Sequence, residues 1–393
     1  MAALRRGLGR FLWLWLPTLG LFLAGLRRAW LTGQADPWDW SIAAALVLAV
    51  AGLLRRKDGA ALLWVALGSA GTALIFCAVA AGQRPQASAA SGLLAVALAA
   101  TFAGARLRSR VGAGLLALTV LLLWRGPAQP VQPVPDRPDL AVVTALPLFW
   151  DEEGGRRDAP ILSLLRTRFT VEPLDDPARL PRTGARRLLL AQPRALTPAQ
   201  LVAIDRWVRL GGRALVLADS LLRWPSALPI GDRRRSPATS LLDPLLARWG
   251  FAPTMLQDGE MRRFMGDGPL LTVSDAYGDT PVTRRVGKGV VTLLGDADAI
   301  DDRLWLADPA RPLDPRVWSA DTPALLVRWL DGAPLGERRW MRALPDVLAG
   351  VRGALLAGTI WAILGALWLP RVSALFEARA GPARTREKGE ENN

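Results

Sequence analysis

Residues 187–218 read RLLLAQPRALTPAQLVAIDRWVRLGGRALVLA, and this stretch predicts a strand, a helix and a second strand in succession. The apolar runs Arg187–Gln192 and Ala214–Ala218 lack the alternation of half-exposed strands, which is typical of buried parallel strands. Between them, Thr197 can cap a helix whose first turn tolerates Pro198, and a Gly-Gly pair ends that helix. The stretch therefore indicates an α/β domain.

The segments on either side continue this alternation. Further strands are predicted at Leu140–Leu146, Phe169–Pro173, and in a hairpin of Val282–Val286 and Val290–Leu294 around Gly-Lys-Gly. Further helices are predicted at Ala159–Arg168, Ser240–Trp249 and Thr322–Leu330, the last capped by Asp321. Strands and helices that alternate with short connections predict a three-layer α/β domain with a mainly parallel sheet.

Ligands of such domains bind beyond the carboxyl ends of the strands. In this chain the predicted ends lie near Pro147–Asp151, Gln192–Arg194, Ala218–Ser220 and Gly295–Asp298. We therefore expect any ligand site of the domain at these four segments.

Six apolar runs predict α-helical membrane spans, five before the domain and one after it. They are Leu8–Leu26, Trp38–Leu54, Gly59–Ala81, Ala87–Ala105, Val111–Trp124 and Ala349–Leu369. A bilayer core needs about 20 apolar residues, so the short fifth run spans only if Arg110 and Arg125 reach the interfaces. Arg27 and Arg28 directly follow the first run without a small-residue cleavage site, which favours a retained span over a signal peptide.

The basic residues predict the orientation of the spans. Residues 139–340 carry 28 basic and 26 acidic side chains, so most of the net charge of +14 lies beside the apolar runs. A cytoplasmic N-terminus places nine basic residues in the inner loops and only Arg27, Arg28 and Arg84 in the outer short loops. Both chain ends then lie in the cytoplasm and the domain lies outside it, and nucleic acid is not an expected partner.

These features divide the chain into five parts. We predict a membrane domain of about five spans at 1–126, a Pro-rich linker at 127–138, an extracytoplasmic α/β domain at 139–340, a span at 349–369 and a cytoplasmic tail at 370–393. Five prolines in the linker favour a stiff, extended spacer.

The residue inventory argues against several kinds of chemistry. The chain has no histidine and one cysteine, Cys77, which lies in an apolar run. Ser-His-Asp and Cys-His sites and the usual zinc sites therefore cannot form. The chain also lacks a Walker loop and a Gly-x-Gly-x-x-Gly fingerprint. We predict no catalytic residue and no cofactor.

An acidic cluster follows the last predicted strand, in the stretch GDADAIDD at 295–302. Asp296, Asp298, Asp301 and Asp302 are candidate oxygen ligands for Ca²⁺ or Mg²⁺. The alternative, which we favour, is a strand-to-helix turn in which one aspartate caps the next helix and the others are solvated.

Asp219 and Ser220 are further candidates for ligand binding because they lie at a predicted strand end. Ser220 has no base near it in sequence, so a capping or loop role is favoured over a nucleophile, and a pair with Lys288 has no spacing signature. The run Arg233–Arg235 is interpreted as a solvated surface, as most charge runs are.

The domain resembles the GldG-like auxiliary proteins of uncharacterised ABC transport systems. The resemblance covers about 139–332 and is carried by LTPAQL at 196–201, IDRWV at 204–208, GGRALVL at 211–217, TSLLDPLL at 239–246, RWG at 248–250, GKGVV at 287–291, GDAD at 295–298 and PALL at 323–326. It implies a fold similar to class I glutamine-amidotransferase domains without the catalytic Cys and His. Members with fewer anchors differ from this chain, which has about five spans before the domain.

The resemblance implies a non-catalytic component of an ABC-type transport or envelope assembly in the bacterial inner membrane, with permease and ATPase subunits as partners. Two alternatives stay open. One is an envelope hydrolase that uses Ser220 or the Asp296 and Asp298 pair, and the other is a membrane receptor for an extracytoplasmic ligand.

Overall fold

The predicted apolar runs form helices in the computed structural model. The structure describes residues 2–124, 126, 130–251, 258–265, 268–275, 281–336 and 338–380. The helices of the apolar runs are α1 (Ala2–Thr32), α2 (Ser41–Leu54), α3 (Gly59–Ala81), α4 (Ala87–Ala105), α5 (Arg110–Trp124) and, after the domain, α11 (Leu344–Ala380). A 3-10 turn at Pro37–Trp40, capped by the Asp36 carboxylate, leads into α2.

Five of these segments are long and apolar enough to cross a membrane. They are Arg5–Thr32, Pro37–Leu54, Gly59–Ala81, Ala87–Ala105 and Leu344–Arg371. The helix α5 has 15 residues, fewer than the 18 or more of each of these five segments. The described residues therefore contain five segments of spanning length, where the sequence predicts six spans.

Helices from both ends of the sequence pack together in one helical unit, formed by the described residues within 1–127 and 339–393. Its centre is aromatic. The ring of Phe76 on α3 lies 5.7 Å from that of Phe22 and 5.5 Å from that of Trp40. The buried indole N–H of Trp40 donates to the Phe22 carbonyl at 3.1 Å, so this large side chain is buried without an unmet donor.

The described residues within 128–338 form the second unit, an α/β domain. Its strands are β1 (Asp139–Thr144), β2 (Thr170–Pro173), β3 (Arg187–Ala191), β4 (Arg213–Leu217), β5 (Asp258–Phe264), β6 (Leu270–Asp275), β7 (Val282–Val286) and β8 (Gly289–Leu294). Its helices are α6 (Pro160–Leu165), α7 (Pro198–Arg209), α8 (Asp243–Arg248), α9 (Asp302–Trp305) and α10 (Thr322–Trp329).

Six of the strands form one sheet in the order β2-β1-β3-β4-β8-β7. The first five are parallel to their neighbours, and β7 pairs antiparallel with β8. The predicted mainly parallel sheet is therefore confirmed. Both of its faces are buried: Leu188 and Val216 lie in a core with α7 and α8, while the alternate residues Leu189 and Leu215 are buried on the opposite face.

The helix α7 is placed by signals that the sequence contains. The Thr197 hydroxyl accepts the Gln200 N–H at 3.3 Å, and the Gln200 side chain accepts the Thr197 N–H at 2.9 Å, which completes a capping box. The Gly-Lys-Gly hairpin packs closely against the end of this helix. A Cβ at Gly289 would overlap the Val208 carbonyl, so only glycine fits there.

Three secondary-structure predictions need correction. The strands β5 and β6, which form a separate antiparallel pair, were not predicted. Helix α8 begins at Asp243 rather than Ser240, because the segment from 240 belongs to the loop after β4. Asp321 precedes α10 without capping it: its carboxylate accepts the N–H groups of Leu270 and Arg338 and so joins loops instead.

The described part of the Pro-rich segment, residues 130–138, is held against the domain. The Val131 N–H donates to Leu313, and the Val134 N–H donates to Thr167. The Arg168 guanidinium donates to the Gln132 carbonyl at 2.8 Å. Residues 127–129 of the predicted linker, and residues 381–393 of the predicted tail, lie outside the described residues.

Candidate functional site

A cavity of about 640 Å³ opens at the carboxyl edge of the sheet. Its walls come from the segments that follow β1, β2 and β3, and from the loop that follows β4. The chain leaves β1 toward β2 on one side and returns to β3 on the other, so this is the point where the strand order reverses. Parallel sheets bind ligands at such a switch point, because the flanking connections diverge there and leave a crevice.

The loop after β4, residues 219–240, is called the β4 loop below. Its two ends meet where the Ser240 N–H donates to the Asp219 carbonyl. The Ser236 hydroxyl donates to the Ala145 carbonyl at 2.7 Å, which attaches the loop to the end of β1. Leu222, Trp224 and Ser236 of the loop face the cavity. The β4 loop therefore forms one wall of the cavity.

Gln192 fastens the β4 loop to the end of β3. This fully buried residue has a positive φ of 41°, which is uncommon for any residue other than glycine. Its side-chain carbonyl accepts the Asp219 N–H at 2.8 Å, and its amide N–H₂ donates to the carbonyls of Asp219 and Pro237 at 3.2 and 3.1 Å. One side chain thus satisfies three backbone groups of the loop.

Arginines and acidic residues line the cavity together. Arg194, Arg234 and Arg235 face Asp151, Glu152 and Asp175 within the lining, so the cavity has no strong net charge. Arg194 donates to the backbone carbonyls of Arg233 and Arg234.

The run Arg233–Arg235 is thus more than a solvated surface. Arg234 bonds both Asp232 and the Glu152 carbonyl, and Arg235 donates to the Leu228 carbonyl. The Arg234 side chain is 60% exposed, so the solvated interpretation holds for it, and the fold of the β4 loop also places Arg234 and Arg235 in the cavity wall.

A second group of polar residues lies at the ends of β4 and β8. One carboxylate oxygen from each of Asp219, Asp296 and Asp298 lies within 4.8 Å of the others, and all three residues are buried. The Asp219 carboxylate accepts the N–H groups of Leu221 and Ala297 at 2.8 and 3.1 Å. The three carboxylates therefore tie the start of the β4 loop to the segment after β8.

Asp296 and Asp298 share a partner on β6. The Ser274 hydroxyl lies 3.2 Å from Asp296 Oδ1 and 3.1 Å from Asp298 Oδ2, and Asp298 Oδ2 also accepts the Arg223 N–H at 2.7 Å. Asp298 Oδ1 is buried and has no hydrogen-bond partner among the residues that the structure describes.

Asp301 and Asp302 lie beyond a 3-10 turn and are not part of this group. The Asp301 carboxylate accepts the Arg303 N–H at 3.0 Å and the Arg303 guanidinium at 2.6 Å, so it caps α9 and is neutralised locally. The predicted capping aspartate is therefore confirmed as Asp301. The prediction that the other aspartates are solvated is wrong for Asp296 and Asp298, which the sheet and β6 bury.

Burial changes the protonation of this group. It raises the pKa of Asp219 to about 6, and the nearby Asp298 charge acts in the same direction, while hydrogen bonds from Leu221 and Ala297 oppose it. Burial likewise raises the pKa of Asp298 above its ordinary value. Carboxylates brought together inside a protein favour either a bound proton or a bound cation.

Ser220 has no activating group among the described residues. Its hydroxyl oxygen is buried and has no hydrogen-bond partner. Lys288 precedes β8, whereas Ser220 follows β4, so the parallel pairing of these strands puts the two residues at opposite edges of the sheet. A pair of Ser220 with Lys288 is therefore excluded by the topology.

Sequence reasoning located the edge of the sheet but missed the residues that line the cavity. The predicted ends at Pro147–Asp151 and Gln192–Arg194 do contribute to the cavity wall. Arg234, Arg235 and Trp224 come from the middle of the β4 loop, where no periodic pattern marks them. The sequence signal for these residues was the run of arginines at 233–235, between the predicted strand that ends at Ala218 and the predicted helix that begins at Ser240.

The structure defines an α/β domain with a cavity at the carboxyl edge of its mainly parallel sheet, in a chain with helices that could span a membrane. Residues 137–261 match a family described as ABC-type uncharacterized transport system. The match runs from the start of β1 into β5 and includes the β4 loop, so it contains most of the cavity. The motifs at 287–326 lie outside it. Searches of curated proteins and of solved structures gave no match.

Proposed function

We propose that this chain is a non-catalytic, membrane-anchored component of an ABC-type transport or envelope assembly, whose α/β domain binds a ligand or a partner segment at its cavity. The observation that carries the proposal is the family match over residues 137–261, which covers the part of the domain that builds the cavity. The absence of a Walker loop from the sequence supports a role beside a separate ATPase subunit.

The non-catalytic role is supported by the polar groups around the cavity. The arginines of its wall are engaged with backbone carbonyls, and the chain has no histidine to act as a base. Ser220 has no hydrogen-bond partner among the described residues.

The domain is proposed to lie in the periplasm, with both chain ends in the cytoplasm. The excess of basic residues in the predicted inner loops supports this orientation. Single cysteines in a Cys77→Ser background test it. Glu153→Cys, in the domain, should react with a membrane-impermeant maleimide in spheroplasts, whereas Lys57→Cys, between α2 and α3, should react only after permeabilisation. The reverse pattern would overturn the orientation.

The α/β domain is further proposed to be related to GldG-like proteins and to domains of the amidotransferase type. The strand order supports this relationship. Doubly wound domains commonly have parallel strands in the order 2-1-3-4-5. The parallel strands of this domain have the order β2-β1-β3-β4-β8, which is the same arrangement with β8 in the position of the fifth strand. The sequence departs from a catalytic amidotransferase in lacking histidine and in having its one cysteine in α3.

The transport role is tested by purifying the full chain in mild detergent and identifying the proteins that accompany it. We expect a permease and an ATPase subunit.

Ala238→Trp, which places a large side chain in the cavity wall, should weaken the association if a partner occupies the cavity. Val202→Trp is the matched control, because Val202 is exposed on α7 away from the cavity. If neither subunit accompanies the wild-type chain, the ABC assignment is abandoned.

A further inference from the structure

The group formed by Asp219, Asp296 and Asp298 has the composition of a cation site. Its ligand atoms are all oxygens, and they come from two segments that are 75 or more residues apart in the sequence. Oxygens bound to one Ca²⁺ or Mg²⁺ ion at about 2.0–2.6 Å lie at most about 5 Å apart. The 4.8 Å limit that contains all three carboxylates agrees with that geometry.

An unsatisfied oxygen is the second observation. Asp298 is 2% exposed, and within the described part of the chain its Oδ1 accepts no hydrogen bond while Oδ2 accepts two. A buried polar atom without a partner destabilises the folded state, and more strongly when it is charged. A bound ion would satisfy such an atom.

The charge of Arg303 acts on Asp298, but Arg303 makes no described hydrogen bond to Asp298 Oδ1. The Arg303 guanidinium makes its bonds to Asp301, at 2.6–3.1 Å. The donors to Asp219 and to Asp298 Oδ2 are backbone N–H groups and the Ser274 hydroxyl, which are neutral. The Ser220 hydroxyl, next to Asp219 in the chain, is a further buried oxygen without a partner.

We propose that Asp219, Asp296 and Asp298 bind a hard divalent cation, Ca²⁺ or Mg²⁺, at the carboxyl ends of β4 and β8. Oxygen ligands of this kind favour these ions over zinc or copper, which prefer nitrogen and sulfur. The ion joins the segment after β8 to the start of the β4 loop. It therefore stabilises the loop that forms one wall of the cavity.

The test uses the full chain in detergent, stripped with EDTA and then exchanged into chelator-free buffer. Addition of millimolar Ca²⁺ or Mg²⁺ in separate samples should raise Tm by roughly 5 °C or more, since a ligand that binds only the folded state stabilises it. The ion with the larger shift at equal concentration is the preferred one. Elemental analysis after gel filtration should find one ion per chain.

The variant Asp298→Asn keeps the size of the side chain and removes one ligand charge, so it should lose most of the cation-dependent Tm shift. Asp301→Asn is the matched control, because Asp301 is equally buried, lies in the same segment and is paired with Arg303. It should retain the shift even if its basal Tm is lower.

The absence of a Tm shift with either ion in the wild-type chain would overturn the proposal, as would an equal shift in Asp298→Asn. Less than half an ion per wild-type chain would also overturn it, whatever the variants do. None of these measurements involves a transport partner, so the outcome is independent of the transport assignment.

Discussion

Trp64 on α3 and Trp361 on α11 stack with their ring centroids 4.2 Å apart, and each indole N–H donates to the backbone carbonyl of the other. The two hydrogen bonds measure 3.0 and 2.9 Å. Glycines make room for the rings: a Cβ at Gly68 would overlap Trp361, and a Cβ at Gly365 would overlap Trp64. The pair joins the last helix of the chain to the helices that precede the domain.

Trp361→Leu removes the ring stacking and the hydrogen bond that the Trp361 indole donates to the Trp64 carbonyl, and leaves a cavity beside Gly68. We expect a loss of about 2–4 kcal/mol of stability in the helical unit. The measurement is thermal unfolding in detergent followed by size-exclusion chromatography. Trp124→Leu is the control, since Trp124 is 86% exposed on α5 and its replacement should change Tm little. Equal effects of the two substitutions would contradict the assigned contact.

Gly104→Ala should separate α2 from α4. A Cβ at Gly104 would overlap the Ala49 carbonyl, and a Cβ at Gly52 would overlap the Thr101 carbonyl, so the backbones touch at both positions. A methyl group forced into such a contact costs about 1–3 kcal/mol. Gly71→Ala, with nothing near its Cβ position, should be neutral or slightly stabilising in the same thermal assay. If Gly104→Ala is also neutral, the backbones of α2 and α4 do not approach each other as closely as the structure shows.

Asp205→Asn should destabilise the domain by about 2–3 kcal/mol. The Asp205 carboxylate accepts the Trp249 indole N–H at 2.9 Å and the guanidinium groups of Arg209 and Arg248 at 3.0 and 2.8 Å. An amide can accept on one atom only, so at least one donor faces an N–H₂ group. Asp308→Asn, in an exposed pair with Arg311, should change the free energy of unfolding little, because water and salt screen exposed ion pairs. Urea unfolding monitored by tryptophan fluorescence compares the two variants.

The domain should lose stability as the pH falls below about 4. Burial raises the pKa of Asp205 and of Asp314, but hydrogen bonds from arginine side chains outweigh it, so both pKa values lie below the ordinary one. The folded state then binds fewer protons than the unfolded state, whose carboxyls titrate near about 3.9. The stabilisation that these two carboxylates contribute is therefore complete above that pH and is lost below it. Asp205→Asn should show a shallower decline of Tm between pH 5 and pH 3, and an identical decline would contradict the role of Asp205.

Gln192→Leu should release the β4 loop. The substitution leaves three backbone groups of Asp219 and Pro237 without their partner, at a cost of about 2–3 kcal/mol. Because the loop contains Arg233–Arg235, limited trypsin digestion of the folded chain reports its opening, and cleavage there should accelerate several-fold. Gln132→Leu is the control, since the exposed Gln132 side chain bonds only the Pro130 carbonyl. Cleavage at the wild-type rate in Gln192→Leu would show that the loop is held elsewhere.

The sequence alone was sufficient for elements with strong local signals. Buried apolar runs marked β1, β3, β4 and β8, because a strand covered on both faces needs no polar residues. Thr197 and Pro198 marked the start of α7, because caps and proline act within one turn. The strands β5 and β6 were missed because DGEMRRF, at 258–264, has no continuous apolar face.

The tertiary structure decided which distant residues meet. Asp219 and Asp296 come together only because β4 and β8 are neighbours in the sheet, and Trp64 meets Trp361 only because α3 packs on α11. Helix and strand formation depends on residues a few positions apart, whereas these contacts depend on the strand order and helix packing that minimise exposed apolar surface across the whole chain. The sequence by itself therefore determined the elements and the edge where a site could form, and the fold determined the residues that form it.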